Sequence, residues 1–203
     1  MAREEPGTIR PGGRTARVRA VVLGAAVEVL AERGFARLDL GEVAQRAGVG
    51  KTTVYRRWGT SATLIGDLLD DLAARSVPRA DTGSLRGDLV AYARRVLRTL
   101  TDPRQGPLVK GVIAAATGDE RTAASLHRFA AARIAEWAPC VVEAVDRGEI
   151  PPGTDSREVL NAVWAPLCHR VLVAGDPLSD AAAVRAAEAA VVAAEAGVFV
   201  TGR

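Results

Sequence analysis

Between Leu38 and Trp58 the chain reads LDLGEVAQRAGVGKTTVYRRW, and no other stretch constrains its fold as tightly. The pattern predicts two short helices, about Leu40 to Ala47 and Lys51 to Trp58, joined by a turn that contains glycine. Asp39 is placed to cap the first: its carboxylate can accept a backbone N–H two or three residues on, and Glu42 stands at the capping-box spacing. Gly48 falls just past the last helical residue, where a left-handed backbone is free of a Cβ penalty. Val43, Ala44 and Ala47 recur at helical spacing, with Val49 in the turn and Val54 beyond it. Such an apolar seam can lock two helices across a tight turn, as a helix-turn-helix requires. The second helix leaves Lys51, Thr52, Thr53, Tyr55, Arg56 and Arg57 for its outer face. A short basic helix with hydroxyls and one aromatic ring suits the major groove of DNA.

Charge follows this stretch. Residues 1–58 hold 11 Lys and Arg against 6 Asp and Glu, whereas the remainder holds 16 against 18. The basic excess is gathered around the proposed reader, where phosphate binding needs it. The 203 residues suffice for one or two domains with real cores. They are 48% hydrophobic but only 4% aromatic, which favours closely packed helices over a β-sandwich. No apolar run approaches the ~18 residues of a membrane span. The start, MAREEPGTIRPGGR, is polar and shows no secretory leader, so a cytoplasmic protein is expected. Cys140 and Cys168 fit reduced, buried thiols better than a disulfide framework.

Elsewhere the periodicity is helical throughout. Residues 1–13, with Pro6, Gly7, Pro11, Gly12 and Gly13, are expected to form a flexible arm. A first helix is predicted from Thr15, its cap, to Arg33, with Phe35 plugging the core of a three-helix head. A fourth runs from about Thr60 to Ser76, stopped by Pro78. Further helices are expected at about 84–100, 107–116, 120–147, 155–174 and 180–199, with Pro139 kinking or splitting the long seventh one. The expected fold is all-α with about nine helices, and the expected division is 1–13 arm, 14–59 DNA-binding head, 60–78 linker helix and 79–203 ligand-binding and dimerisation body. The last helix, almost wholly Ala and Val from Ala181 to Ala196, is apolar around most of its girth and must be buried. A symmetry mate is the surface expected to bury it.

ERGF at Glu32–Phe35, then EVAQRAGVG and TTVYRRW, resemble at matching spacing the DNA-binding segment of the TetR family of transcriptional repressors. The RGE, APL-x-x-R and PL pieces between residues 143 and 178 resemble a C-terminal pattern of one branch of that family, with Cys168 and His169 in place of its usual aromatics. The resemblance implies a DNA-contacting set. Thr52 and Thr53 lie near bases, Tyr55 on phosphate, and Arg57 on phosphate or a base. Lys51 and Arg56 stand beside them, Arg14, Thr15 and Arg17 stand at phosphate, and Asp39 and Leu40 stand at the start of the first reader helix. The chain departs from the family at Ser61, where a phosphate-touching lysine is usual, at Gly50, where a serine cap is common, and at Gly41, where some relatives carry a base-contacting side chain. The resemblance also implies an effector site in the body, for which Tyr92, Ile113, His127, Phe129, Arg133, Trp137, Cys140 and Trp164 are candidate lining residues. It implies a homodimer through the last two helices, with Leu167, Val171, Val184, Ala187, Val191 and Val192 as candidate interface residues.

Other chemistry finds little support. Adjacent residues on a helix point about 100° apart, so Cys168 and His169 cannot readily share a metal, and no pair at zinc-site spacing occurs. Neither GxSxG, a phosphate-binding glycine loop nor HExxH is present, so no enzyme, cofactor or metal is expected. The expected function is a homodimeric, effector-responsive regulator, a repressor, recognising a palindromic operator. The alternative is a ligand-binding or protein-interaction module whose DNA head is degenerate, motivated by Gly41, Gly50 and Ser61.

Overall fold

A computed structural model describes residues 13–74 and 79–202. Its helices are α1 (Gly13–Arg33), α2 (Leu40–Arg46), α3 (Lys51–Trp58), α4 (Ser61–Ala74), α5 (Leu85–Thr101), α6 (Gln105–Ala116), α7 (Glu120–Asp146), α8 (Ser156–His169) and α9 (Asp180–Glu195). The fold is all-α. The expected arm, apart from Gly13, lies outside the described residues, as do Ser76 and Pro78 at the expected end of the fourth helix.

Local chemistry sets most helix starts. Asp39, Ser84, Asp119, Asp155 and Ser179 each accept backbone N–H groups from the first turn they precede, and such a cap is typically worth ~1 kcal/mol. Thr60 does the same for α4 through the Thr63 N–H, at 3.2 Å. Thr15 is not a cap: α1 starts at Gly13, so Thr15 already lies within its first turn. Pro139 neither ends nor splits α7, which continues from Glu120 to Asp146. A proline removes one helical hydrogen bond, and here its ring is exposed while Trp137, Cys140, Val141 and Ala144 bury against the core on either side of it. The eighth helix ends earlier than expected, at His169, and passes into a π-turn over Arg170–Ala174 closed by left-handed Gly175. The ninth stops at Glu195, where Gly197 turns left-handed. The chain then runs back so that Val200 pairs with Thr154 in one antiparallel bridge, an element without a signal in the sequence.

Two apolar clusters form. One joins α5, α7, α8 and α9 through residues such as Leu89, Val96, Val141, Leu160, Val163 and Ala187. The other joins α1 to α4 through Val22, Leu30, Val43, Val54, Leu64 and Ile65, and draws in Leu108 and Val112 from α6. Phe35 sits in a 3₁₀ turn and reaches α6, where a Cβ at Gly111 would lie 3.0 Å from its own Cβ. The head and α6 therefore share one core. On its other side α4 packs along α7 so closely that a Cβ at Gly66 would lie 2.9 Å from Ser125 Oγ.

The last helix is buried chiefly inside its own chain. Ala183, Ala187, Ala190, Val191 and Ala194 face α5 and α8 at 2% exposure or less, and Arg86–Glu188 and Arg94–Asp180 ion pairs clamp α9 to α5. Three expected interface residues are thereby corrected. Leu167, Ala187 and Val191 fill the protomer core and have no surface to offer a partner. Val171 and Val184 are half-buried and Val192 is 60% exposed.

Candidate nucleic-acid interface

The reader helices are fixed by contacts that leave one face open. At the start of α2 Asp39 accepts the Glu42 N–H at 2.9 Å. The reciprocal half of a capping box is absent, because the Glu42 carboxylate pairs with Arg33 and Arg46 instead. Arg46 also forks onto Glu32 at 2.6 and 2.8 Å, and its guanidinium holds the Glu32 carboxyl below the usual range. Arg33 and Arg46 thus spend their charge on the α1–α2 seam. Gly48 turns with φ 64°, and the Val49 N–H closes the end of α2 on the Ala44 carbonyl at 3.0 Å. Gly50 precedes α3 without a side-chain cap.

Val54 and Trp58 anchor α3, at 0% and 5% exposure. Opposite them Lys51, Thr52, Tyr55, Arg56 and Arg57 are exposed, Tyr55 at 47%, and Thr53 is half-buried. Among the described residues Lys51, Arg56 and Arg57 form no ion pair. The Arg57 guanidinium carbon instead lies 5.0 Å from the centroid of the Trp58 ring. Arg14, Thr15 and Arg17 are exposed near the start of α1. A helix face with three cations outside any ion pair among the described residues, two hydroxyl side chains and a phenol can contact phosphates by charge and base edges by hydrogen bonds.

Leu40 does not belong to that face. Its side chain is 4% exposed and packs in the head core, so only its backbone can meet a ligand. Asp39 is exposed, with its carboxylate engaged in the cap. Lys51 lies across Gly41: a Cβ there would stand 3.4 Å from its Cε and 3.5 Å from its Nζ. Ser61 donates its hydroxyl to the Leu38 carbonyl at 2.9 Å, joining α4 to the strap that leads into α2. A further set of head contacts has no periodic signature in the sequence. Arg19 donates to Asp67 and Asp71 at 2.9 and 2.7 Å, and the Trp58 indole N–H donates to the other oxygen of Asp67 at 2.9 Å. A buried indole seeks an acceptor, which was the available signal. The acceptor lies nine residues on, in another helix, so spacing could not single it out.

The candidate effector residues divide between the two clusters and the surface. Tyr92 and Trp137 pack with ring centroids 5.1 Å apart, in the same core cluster as Cys140, with Ile113 and Trp164 half-buried against it. Burial pushes the thiols of Cys140 and Cys168 up to about 12. Phe129 belongs to the other cluster, with the Arg133 guanidinium 5.5 Å from its ring centroid. Arg133 donates to the Ala73 carbonyl at 2.9 Å and pairs with Glu136. His127 is exposed on α7 and turned away from this core. Two surface clefts open elsewhere, one beside Ile150 and Pro151, the other between α4 and α7 at Asp70, Arg121 and Arg128; none of the eight residues lines either. Asp81, Asp88 and Glu143 bring carboxylate oxygens within 4.8 Å of one another, but Arg79 reaches both Asp88 and Glu143, so the cluster has an internal cation. No described helix is long and apolar enough to cross a membrane.

Two family models match the chain. The model described as "Bacterial regulatory proteins, tetR family" covers residues 22–68, and "Tetracyclin repressor-like, C-terminal domain" covers residues 79–190. The chain is 31% identical over 160 residues to the HTH-type transcriptional regulator YdeS of Bacillus subtilis, covering 78% of this chain and 80% of YdeS. It is 34% identical over 164 residues to the DNA-binding transcriptional repressor TetR of Mycobacteroides abscessus, covering 80% and 85%. The solved structure of the TetR family transcription regulator SCO0332 superposes with a TM-score of 0.67 at 30% identity, over 87% of this chain and 97% of that one.

Proposed function

The chain belongs to the tetR family of bacterial regulatory proteins, as a DNA-binding helix-turn-helix transcriptional regulator and not an enzyme, and from that premise we propose that it is an effector-responsive homodimeric repressor of a palindromic operator. The exposed face of α3 carries this reading. Among the described residues Lys51, Arg56 and Arg57 enter no ion pair there, while Arg33 and Arg46 are neutralised on the adjoining seam. In the proposed complex, Thr52, Thr53 and Tyr55 meet base edges and phosphates, and Arg14, Thr15 and Arg17 add contacts from α1. Two copies place their α3 helices in successive major grooves, ~34 Å apart.

Pairing of copies is supported by exposed apolar side chains on the last two helical segments. Val192 on α9 and Leu172 and Val173 in the π-turn after α8 are 60%, 38% and 72% exposed, and with half-buried Val171 and Val184 they suit a two-fold contact. Effector binding is supported by the Trp137 indole N–H. It is buried beside Tyr92 and Cys140 without a hydrogen-bond partner among the described residues. A ligand acceptor there would satisfy a donor that is costly to leave alone. To release DNA, the effector must prefer the conformation whose head spacing does not fit the operator.

The test is a gel shift on duplexes selected from a randomised pool by the wild-type protein. Salt-sensitive, sequence-selective binding with two-fold symmetric selected sites is expected. Thr53→Ala with Tyr55→Ala should abolish the selectivity. Retention of operator affinity by that double variant would remove α3 as the reader. A dimer without sequence-selective binding would instead favour a ligand-binding module with a degenerate head.

A further inference from the structure

Trp58 closes α3 with its ring buried against the head core, and its indole N–H has one acceptor, Asp67 Oδ2, at 2.9 Å. Asp67 stands on α4, the helix that leaves the head for the body. Its second oxygen takes the Arg19 guanidinium, at 2.9 Å from Nε and 2.8 Å from Nη2. Arg19 also reaches the Asp67 carbonyl at 3.1 Å and Asp71 at 2.7 Å. The carboxylate is therefore held from two sides and cannot turn without breaking charge-assisted bonds. Burial pushes the Asp67 carboxyl up, and the hydrogen bonds from Arg19 and Trp58, joined by the charges of Arg19 and Arg57, outweigh it and keep it below its ordinary value. The ring so fixed lies under the Arg57 guanidinium, 5.0 Å from the centroid. A cation over an indole is the strongest of the side-chain cation–π pairs. On the neighbouring residue α4 turns to the body, since Gly66 is where α4 abuts Ser125 of α7.

We propose that Asp67 is a positioning residue for DNA binding. It holds the Trp58 indole as a platform that fixes where the Arg57 guanidinium stands, so that the seating of α4 on α7 is passed to one cation of the reader face. The inference rests on α3 being the DNA-contacting helix. Arg57 alone, a long flexible side chain at a helix end, would lose rotamer freedom on every encounter with a phosphate; on its platform it is already ordered. A shift of α4 against the body moves Asp67, and through it the platform, without melting any helix.

A double-mutant cycle on the pool-selected duplex at low salt tests this. Trp58→Phe keeps an aromatic ring and removes the N–H that Asp67 holds. It should weaken DNA binding by about three- to tenfold for a dimer with two such platforms. In an Arg57→Ala background the same change should cost less than about 1.5-fold, because the group being positioned is gone. Asp67→Ala carries out the same cycle from the acceptor side and serves where Trp58→Phe does not fold; it should also expose the Trp58 indole N–H to rapid hydrogen exchange. Equal fold losses with and without Arg57 would overturn the proposal, because Asp67 and Trp58 would then only stabilise the head. A wild-type protein that selects no duplex would overturn the DNA reading along with it, whereas binding with an additive cycle overturns this inference alone.

Discussion

Replacing Ser61 with lysine separates two effects that meet at one residue. Ser61 opens α4, and its hydroxyl donates to the Leu38 carbonyl at 2.9 Å. The resemblance to the family implies a phosphate-touching lysine at this position. Ser61→Lys removes a hydrogen bond whose net worth is ~1 kcal/mol and leaves the Leu38 carbonyl to find water. It also adds one cation per protomer at the edge of the reader. If each new ammonium meets one phosphate, the slope of log K against log salt steepens by ~0.9 per contact, or ~1.8 for a dimer. Between 50 and 200 mM salt, a fourfold change, that adds about twelvefold to the loss of affinity across the range. Ser61→Ala is the control, since it loses the same hydrogen bond and gains no charge. Thermal unfolding should fall by a similar amount in both variants, and fluorescence anisotropy at four or five salt concentrations should steepen in the lysine variant alone. A lysine variant whose salt slope equals that of wild type would refute the placement of residue 61 at the DNA backbone. An alanine variant as stable as wild type would refute the tie to Leu38.

Three further outcomes are expected. Gly66→Ala places a Cβ 2.9 Å from Ser125 Oγ, so its intrinsic helix gain of ~0.5–1 kcal/mol should be cancelled by displacement of the hydroxyl. Adding Ser125→Ala should release the gain, and urea unfolding in which both forms are equally stabilised would show that α4 and α7 are not in tight contact. Cys140 and Cys168, their thiols pushed up to about 12 by burial, should resist a thiol reagent at pH 8 in the native protein and react fully in denaturant; fast native labelling of either would contradict the packing. Asp102 and Asp119 are held low, Asp102 by the N–H groups of Gln105 and Arg104 and Asp119 by Thr122. Their folded values lie below the unfolded one, so their contribution is complete above the ordinary aspartate range near ~3.9 and is lost as the pH falls through the lower folded values. Melting temperature should therefore hold from neutral pH to about 5 and fall below about 4; a decline already present above pH 6 would need another cause.

Local rules account for what the sequence determined. The cap at Asp39 and the left-handed turn at Gly48 each depend on residues within four positions of one another, and they emerge where the pattern puts them; the caps at Ser84 and Asp119 follow the same local rule at helix starts that the periodicity alone had located. The outward face of α3 was legible for the same reason, since Val54 and Trp58 are four residues apart and must turn inward together. Leu40 shows the limit of carrying a role over by resemblance: an apolar residue at a helix start has its fate decided by the core beneath it, and here the core takes it.

The partners of faces were decided only by the tertiary structure. An Ala/Val helix requires burial, but its composition is the same whether the surface opposite is another protomer or its own chain. In α9 that surface is mainly α5, some 95 residues earlier in sequence, which draws Ala187 and Val191 inward and leaves Val192 outside. Pro139 marked a break by its covalent chemistry, yet packing of the helix on both sides of it outweighs one missing hydrogen bond. The tie from Trp58 to Asp67 joins two helices through groups that no periodicity relates. In each case a side chain's own chemistry states what it needs, and only the folded chain supplies the atom that meets the need.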